Sequence, residues 1–154
     1  CLARASATKN ESVNRGRVVK ERTKGAGLYT EAGFVSFIKS ALRRASSRWK
    51  PKTDTIKAAR REKGRYECAL CKEIVPVTII NDKGKRVNNI EADHVIPVVD
   101  PEIGFVDWDT FIRRLFVEPE GFRVLCKSCH NKVTQEQNDI AKARRASAKN
   151  ESDE

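Results

Sequence analysis

The first half of the chain carries a helical pattern of apolar residues. After Thr30, apolar side chains recur at steps of three and four residues, at Phe34, Phe37, Ile38, Ala41, Leu42 and Ala45. This spacing predicts an amphipathic helix that is capped by Thr30 and ends before Pro51. A second, shorter helix is predicted over residues 55–63, with Asp54 or Thr53 as its cap.

The middle of the chain has the pattern of a β-hairpin. Residues 74–80 are rich in β-branched side chains, which favour a strand, and the Asn-Asp-Lys-Gly sequence at 81–84 is typical of a turn. Residues 86–92 are then expected to return as a second strand. This strand brings Asp93 and His94 to its end.

The last part of the chain predicts a helix, a short strand and a further helix. Residues 98–120 are interpreted as an inserted loop with a helix capped by Asp107. A short strand is expected over residues 122–125. The final helix is expected to begin at His130 and to end near Ala143.

These elements predict a single domain of the α+β class. Residues 1–28 and 146–154 are polar and poor in apolar side chains, so we expect a disordered basic arm and a disordered tail. Residues 29–65 form a basic helical segment, and residues 66–145 form the core domain.

The net charge favours a polyanionic partner. Lys and Arg together number 31 against 21 Asp and Glu, which gives a formal net charge of +10. The excess of basic over acidic residues is greatest from Lys39 to Arg65, where there are eleven Lys or Arg and only two acids, Asp54 and Glu62. An ordinary solvated surface is the alternative, but the bias to one sign favours a nucleic-acid interface. The candidate contacts are Arg43, Arg44, Arg48, Arg60, Arg61, Lys63 and Arg65.

Four of the five cysteines form two closely spaced pairs. Cys68 and Cys71 form one C-x-x-C motif, and Cys126 and Cys129 form the other. Zinc takes four thiolates in tetrahedral geometry, and a two-residue gap lets one turn aim both sulfurs at the same ion. We therefore predict a structural Zn²⁺ site. The alternatives are four reduced core cysteines or two redox pairs.

The chain has two histidines, and each follows a potential metal ligand. His94 follows Asp93, and His130 follows Cys129. A zinc ion shared by the two cysteine pairs would hold the hairpin against the last helix. Asp93 and His130 can then bind a second divalent ion, and His94 can act as a general base. The alternatives are a core histidine at His94, a turn acid at Asp93 and a fifth zinc-site candidate at His130.

Three motifs in this order resemble the HNH endonucleases that have a ββα-metal motif and a zinc-binding cysteine quartet. The motifs are C-A-L-C, D-H-V-I-P and L-C-K-S-C-H-N-K, and the resemblance covers about residues 66–134. It implies two antiparallel strands and a helix around a divalent metal ion such as Mg²⁺ or Mn²⁺. His94 matches the general base, Asp93 and His130 match the metal ligands, and the four cysteines match the structural zinc ligands.

One position departs from the family pattern. The family places an asparagine nine residues before its last histidine, and this chain has Gly121 there. The asparagine fixes the loop that carries the base. We expect a backbone carbonyl, or a neighbour such as Asn88, Asn89 or Glu118, to replace it. A further metal ligand of the family falls on Thr134, so water or substrate is expected to fill that coordination position.

The resemblance implies a metal-dependent DNA endonuclease that cuts or nicks phosphodiester bonds and leaves 5′-phosphate and 3′-hydroxyl ends. One such site cuts one strand, so double-strand cleavage would require a homodimer or a second event. The alternatives are a zinc-containing nucleic-acid-binding module with weak or no activity, and a zinc domain that recruits a partner. No apolar run is long enough to span a membrane, so we expect no membrane partner. No apolar segment follows the basic N-terminus, so we expect no secretion. The expected location is the cytoplasm, which would be that of the host cell if the protein is phage-encoded.

Overall fold

The computed structural model describes residues 20–150 and combines helices with small antiparallel sheets. This mixed architecture is compatible with the predicted α+β class. Within these residues the helices are α1 (Glu31–Ser46), α2 (Lys50–Ala58), α3 (Trp108–Leu115) and α4 (Lys127–Asn150), and a 3-10 turn spans Pro119–Gly121. The strands are β1 (Arg60–Glu62), β2 (Arg65–Glu67), β3 (Ile74–Pro76), β4 (Thr78–Ile80), β5 (Arg86–Asn88), β6 (Ile90–His94) and β7 (Phe122–Cys126).

The chain divides into two units, and the first comprises residues 1–39. Its described part contains a tight turn closed by two backbone hydrogen bonds between Lys24 and Tyr29, at 3.1 and 3.0 Å. Thr30 caps α1 as predicted, because its hydroxyl accepts a hydrogen bond from the Gly33 amide at 3.1 Å. Residues 24–28 of the predicted disordered arm therefore take part in this turn. Residues 1–19 of that arm lie outside the described residues.

The second unit, residues 40–154, contains three small sheets. The first has the order β1-β2-β3, the second pairs β4 with β5, and the third pairs β6 with β7. Every pairing is antiparallel. In the β6–β7 pair, Ile90 lies opposite Cys126, Asp93 lies opposite Arg123 and His94 lies opposite Phe122.

Each of the two strands predicted for the hairpin is divided in the structure. The expected strand 74–80 breaks at Val77, whose amide donates to the Gly64 carbonyl at 2.8 Å. The expected strand 86–92 breaks at Asn89, whose amide donates to the Val77 carbonyl at 2.8 Å. The prediction of one continuous hairpin is therefore wrong. The predicted turn is present, because the Asn81 side chain accepts hydrogen bonds from the amides of Lys83 and Lys85.

Two helices differ from their predicted bounds. α2 begins at Lys50 rather than residue 55, with Pro51 in its first turn, where the missing proline N–H removes no helical hydrogen bond. It ends at Ala58, and Arg60–Glu62 form β1 instead of helix. α4 begins at Lys127 and continues through Asn150, so the predicted disordered tail begins within a helix. Residues 151–154 of that tail lie outside the described part of the chain.

The buried apolar side chains form two clusters. Cys68, Leu125 and Cys126 form the first, beneath the start of α4. Val98, Phe111 and Leu115 form the second, with Leu42, Val99, Trp108 and Phe116 packed against it. Asp107 caps α3 as predicted, because its carboxylate accepts the Thr110 amide at 2.7 Å.

α2 is fastened to the chain segment that follows α3. The Trp49 indole N–H, just before α2, donates to the Val117 carbonyl at 2.7 Å. The Thr55 hydroxyl lies 3.2 Å from the Pro119 carbonyl. These contacts fix the segment that leads through Gly121 into β7.

Across residues 20–150, no helix combines the length and the apolar character needed to cross a bilayer.

The second cluster yields a stability test. Leu115 is 1% exposed, and its replacement by alanine should lower the free energy of unfolding by about 2–5 kcal/mol, because buried contacts are lost and a cavity remains. Ile112 lies one turn earlier in α3 and is 42% exposed, so Ile112→Ala should change it by only about 0.5 kcal/mol. Urea denaturation measures both variants. Equal losses would contradict the described packing of α3.

Candidate functional site

The four predicted zinc cysteines lie together in the structure. The sulfurs of Cys68, Cys71, Cys126 and Cys129 all lie within 4.8 Å of one another, which is the spacing needed to hold one metal ion. Cys71 and Cys126 come from different motifs, and their sulfurs are 3.9 Å apart. The two C-x-x-C motifs thus form a single four-thiol cluster that can bind zinc.

The local backbone explains how each motif aims its sulfurs. The first motif follows β2 and folds back on itself, because the Lys72 amide donates to the Cys68 carbonyl and the Cys68 amide donates to the Glu73 carbonyl, both at 2.9 Å. Lys72 adopts a positive φ of 63°, which closes this turn. The second motif joins the end of β7 to the first turn of α4.

Backbone amides favour the thiolate form at the centre of the cluster. Burial raises the pKa of Cys68, but the amides of Cys126, Cys71 and Leu70 outweigh burial and lower the pKa to about 6. The Cys126 amide lies 3.3 Å from the Cys68 sulfur. An ionised thiol is the form that binds metal, so this environment prepares Cys68 as a ligand.

A second site lies at the other end of the β6–β7 pair. Asp93 and His94 at the end of β6 and His130 and Thr134 on α4 all line one cavity of about 220 Å³. Arg43 from α1 also lines this cavity. The structure therefore brings the three predicted catalytic residues together, with one of the predicted nucleic-acid contacts beside them.

The His94 ring is fixed by the end of α3. Its Nε2 lies 3.1 Å from the carbonyl oxygen of Leu115, and the ring centre lies 4.7 Å from that of Phe122. Leu115 is the last residue of α3, so its carbonyl has no partner within the helix and can accept this hydrogen bond. Because a carbonyl only accepts, Nε2 carries the proton, and Nδ1 is the nitrogen that can accept one.

The surroundings keep His94 neutral. Burial lowers the pKa of His94 below its ordinary value, and the positive charges of Lys52 and Arg43 lower it further. The Leu115 carbonyl and the Asp93 carboxylate act in the opposite direction but do not offset burial. An unprotonated imidazole near neutral pH is the form that a general base requires.

Asp93 is held by an arginine on the neighbouring strand. The Nε and Nη2 atoms of Arg123 donate to the Oδ2 atom of Asp93 at 3.0 and 2.9 Å. The two residues lie directly opposite each other in the β6–β7 register. The sequence motifs include Asp93 as a predicted metal ligand but do not include Arg123.

At the position of the expected asparagine, the backbone contacts the loop after His94. The Val95 amide donates to the Gly121 carbonyl at 2.9 Å. Of the proposed side-chain substitutes, Asn88 donates to the Ile90 carbonyl and Asn89 donates to the Pro76 carbonyl. Backbone carbonyls of Leu115 and Gly121 therefore steady His94 and its loop.

Close packing gives a steric explanation for glycine at position 121. A Cβ atom at this position would lie 2.5 Å from Cγ2 and 2.6 Å from Cβ of Val117. Such distances are far below van der Waals contact, so a side chain at position 121 requires Val117 to move. Close packing against Val117 therefore selects glycine here.

The other predicted nucleic-acid contacts are exposed in the second unit. They lie on α1, after α1, on β1 and β2, and in the intervening turn, rather than on two helices. Arg61 pairs with Glu67, and Arg65 lies 3.8 Å from Glu62. The residues concerned are Arg44, Arg48, Arg60, Arg61, Lys63 and Arg65.

Comparisons with protein-family models, with curated proteins and with solved structures found no match for this chain. Its chemistry must therefore be inferred from the geometry of the cluster and of the cavity.

The cysteine cluster predicts one bound zinc ion per chain. Cys71→Ser should lower the zinc content and the thermal stability, because a zinc ion held by the four thiols would link β2, β7 and α4 and its binding energy would contribute to folding. Cys1→Ser removes a cysteine outside the quartet and should leave both unchanged. Elemental analysis of the purified protein and thermal melts with and without a chelator provide the readout. Equal zinc content in both variants would contradict the assignment.

The crowding at Gly121 predicts a coupled pair of substitutions. Gly121→Ala should lower the free energy of unfolding by about 1–3 kcal/mol, because the new methyl group meets Val117. In a Val117→Gly background the same change should cost less, since the clashing side chain is absent. A double-mutant cycle by urea denaturation measures the coupling, and additive effects would contradict the steric explanation.

Proposed function

We propose that this protein is a metal-dependent DNA endonuclease of the HNH type. The observation that carries the proposal is the shared cavity of Asp93, His94 and His130, at the junction of a strand pair and a helix. The sequence motifs supply the resemblance, and the strand-strand-helix order of β6, β7 and α4 is consistent with it. Cys126 on β7 and Cys129 on α4 connect the four-thiol cluster to two of these three elements.

The residues in the cavity fit a divalent metal ion. Asp93 offers a carboxylate oxygen and His130 offers an imidazole nitrogen, and Thr134 adds a hydroxyl in the same cavity. Oxygen and nitrogen donors suit Mg²⁺, Mn²⁺ and related ions. An ion held by Asp93 and His130 would neutralise charge on the phosphate and on the leaving oxygen.

His94 is the general base of the proposed reaction. Its Nδ1 atom takes a proton from a water molecule, whose oxygen attacks phosphorus in line with the leaving 3′-oxygen. The new P–O bond forms as the bond to the 3′-oxygen breaks, and the leaving 3′-oxygen takes a proton from a solvent water molecule, which leaves a 5′-phosphate and a 3′-hydroxyl. The Leu115 carbonyl holds the protonated Nε2 at 3.1 Å and so fixes the ring orientation throughout.

Positive side chains supply the attraction for DNA. Arg43 lines the cavity itself, where its guanidinium lies 5.8 Å from the centre of the Phe111 ring. In the proposed complex it contacts the phosphate that is cut. The exposed basic residues of α1, β1 and β2 would contact neighbouring phosphates and make binding sensitive to salt. A single cavity of this kind cuts one strand.

A plasmid-nicking assay tests the proposal. The wild-type protein should convert supercoiled DNA to the nicked form with Mg²⁺ or Mn²⁺ and should stop with EDTA. His94→Ala should lower cleavage by at least about 100-fold, because general-base catalysis typically contributes 10²–10⁴-fold. Zinc content and circular dichroism should match those of the wild type. Asp93→Ala and His130→Ala should reduce cleavage and also weaken binding of the added metal.

The controls make the assay decisive. Gln135→Ala changes an exposed residue of α4 that bonds only to Asp139 among the described residues, and it should cleave as the wild type does. Cleavage retained by a His94→Ala preparation free of contaminating nuclease would refute the assignment of the base. Salt-sensitive DNA binding without any cleavage by the wild type would identify a zinc-containing binding module instead.

A further inference from the structure

We propose that Arg123 is a positioning residue that presents the Asp93 carboxylate to the divalent metal ion. One carboxylate oxygen is held by Arg123, and the other is left to the metal. This inference rests on the proposed function, because it requires Asp93 to be a metal ligand. It assigns a role to a residue that the motifs do not include.

The contact between the two residues is well defined. Both Arg123 donors reach the same atom, Oδ2 of Asp93, at 3.0 and 2.9 Å. The side chain of Arg123 is 24% exposed and that of Asp93 is 17% exposed, so solvent screens the pair only in part. The antiparallel register places the two residues directly opposite each other, which fixes the pair from both strands.

The pattern of donors matters for metal binding. A guanidinium that bonded one N–H to each carboxylate oxygen would occupy both oxygens. Here both bonds fall on Oδ2, so the lone pairs of Oδ1 remain for another partner. Hydrogen bonds to a ligating carboxylate fix its orientation, and their loss typically weakens metal binding by about 10–100-fold.

Two opposing effects decide the sign of the test. A fixed carboxylate loses less conformational freedom when metal binds, which favours binding with Arg123 present. The positive charge of Arg123 repels a cation nearby, which favours binding without it. Arg123 contacts only Oδ2, so Oδ1 keeps its lone pairs for the metal ion. We therefore expect the positioning of the carboxylate to outweigh the repulsion between Arg123 and the metal ion.

Arg123 also lines a second cavity, of about 260 Å³, together with Arg61 and Lys72. A direct contact with a DNA phosphate is therefore a competing role for the same guanidinium. The two roles predict different measurements. Positioning changes the affinity for the metal in the absence of DNA, whereas a phosphate contact changes the affinity for DNA and leaves the metal affinity as it was.

The experiment measures Mn²⁺ binding to the full, zinc-loaded chain without DNA. Electron paramagnetic resonance of free Mn²⁺ gives the dissociation constant for each variant. Arg123→Gln should weaken binding by about 10–100-fold. Arg123→Lys keeps the charge but loses the two-donor fork, so it should recover only part of the loss. Arg113→Gln removes a charge from an exposed pair with Asp109 on α3 and should leave Mn²⁺ binding unchanged.

Asp93→Asn separates failure of this inference from failure of the proposed function. If Asp93→Asn binds Mn²⁺ as the wild type does, Asp93 is not a ligand and both fail. If Asp93→Asn loses the site while Arg123→Gln binds equally well or more tightly, only the positioning role is overturned. Zinc content and circular dichroism identify a misfolded Arg123→Gln protein. In that case Arg123→Lys decides, and wild-type affinity in it would refute the need for the fork.

Discussion

The meeting of two C-x-x-C motifs in one cluster is the constraint on which the rest of the second unit depends. Cys126 ends β7, and across the strand pair it lies opposite Ile90, the first residue of β6. His94 is the last residue of β6 and lies opposite Phe122. At about 3.4 Å per residue, the four steps between them amount to roughly 13 Å. A metal held by the cysteines would therefore fix one end of the ladder whose other end carries Asp93 and His94. On α4, Cys129 belongs to the cluster and His130 lines the cavity with Asp93 and His94.

Backbone carbonyls hold His94 and the loop that follows it at the candidate site. The carbonyl of Leu115 is free because α3 ends there, and it holds His94 Nε2. The carbonyl of Gly121 accepts the Val95 amide, so the inserted segment closes on itself where β6 ends and β7 begins. A carbonyl contact is independent of side-chain identity, and an asparagine at position 121 would meet Val117. Glycine at position 121 is thus compatible with an ordered His94, since other groups hold the ring and its loop.

Local signals in the sequence predicted the features that depend on few residues. The caps at Thr30 and Asp107, the turn at Asn81 and the joining of the cysteine motifs each follow from a short pattern with one physical cause. The breaks at Val77 and Asn89 did not follow from any pattern, because each arises where a backbone amide bonds to a different segment. Proline is suited both to the end of a helix, which the sequence predicts at Pro51, and to the first turn of a helix, where Pro51 lies in the structure. The choice between these two roles depends on how Trp49 and Thr55 contact the 117–119 segment.

The proposed role of Arg123 depends on pairing between two strands, so a sequence motif does not predict it. An arginine inside a short apolar strand is typical of an exposed strand face, and nothing in residues 122–125 points to a metal site. Its contact with Asp93 requires the antiparallel pairing and also the register, since a shift of one residue would place Arg123 on the opposite face. The same register places Cys126, a member of the cysteine cluster, opposite Ile90 at the far end of the pair. A metal held by the four thiols would favour the same register that places Arg123 opposite Asp93, which connects the cluster to the candidate site through one strand pair.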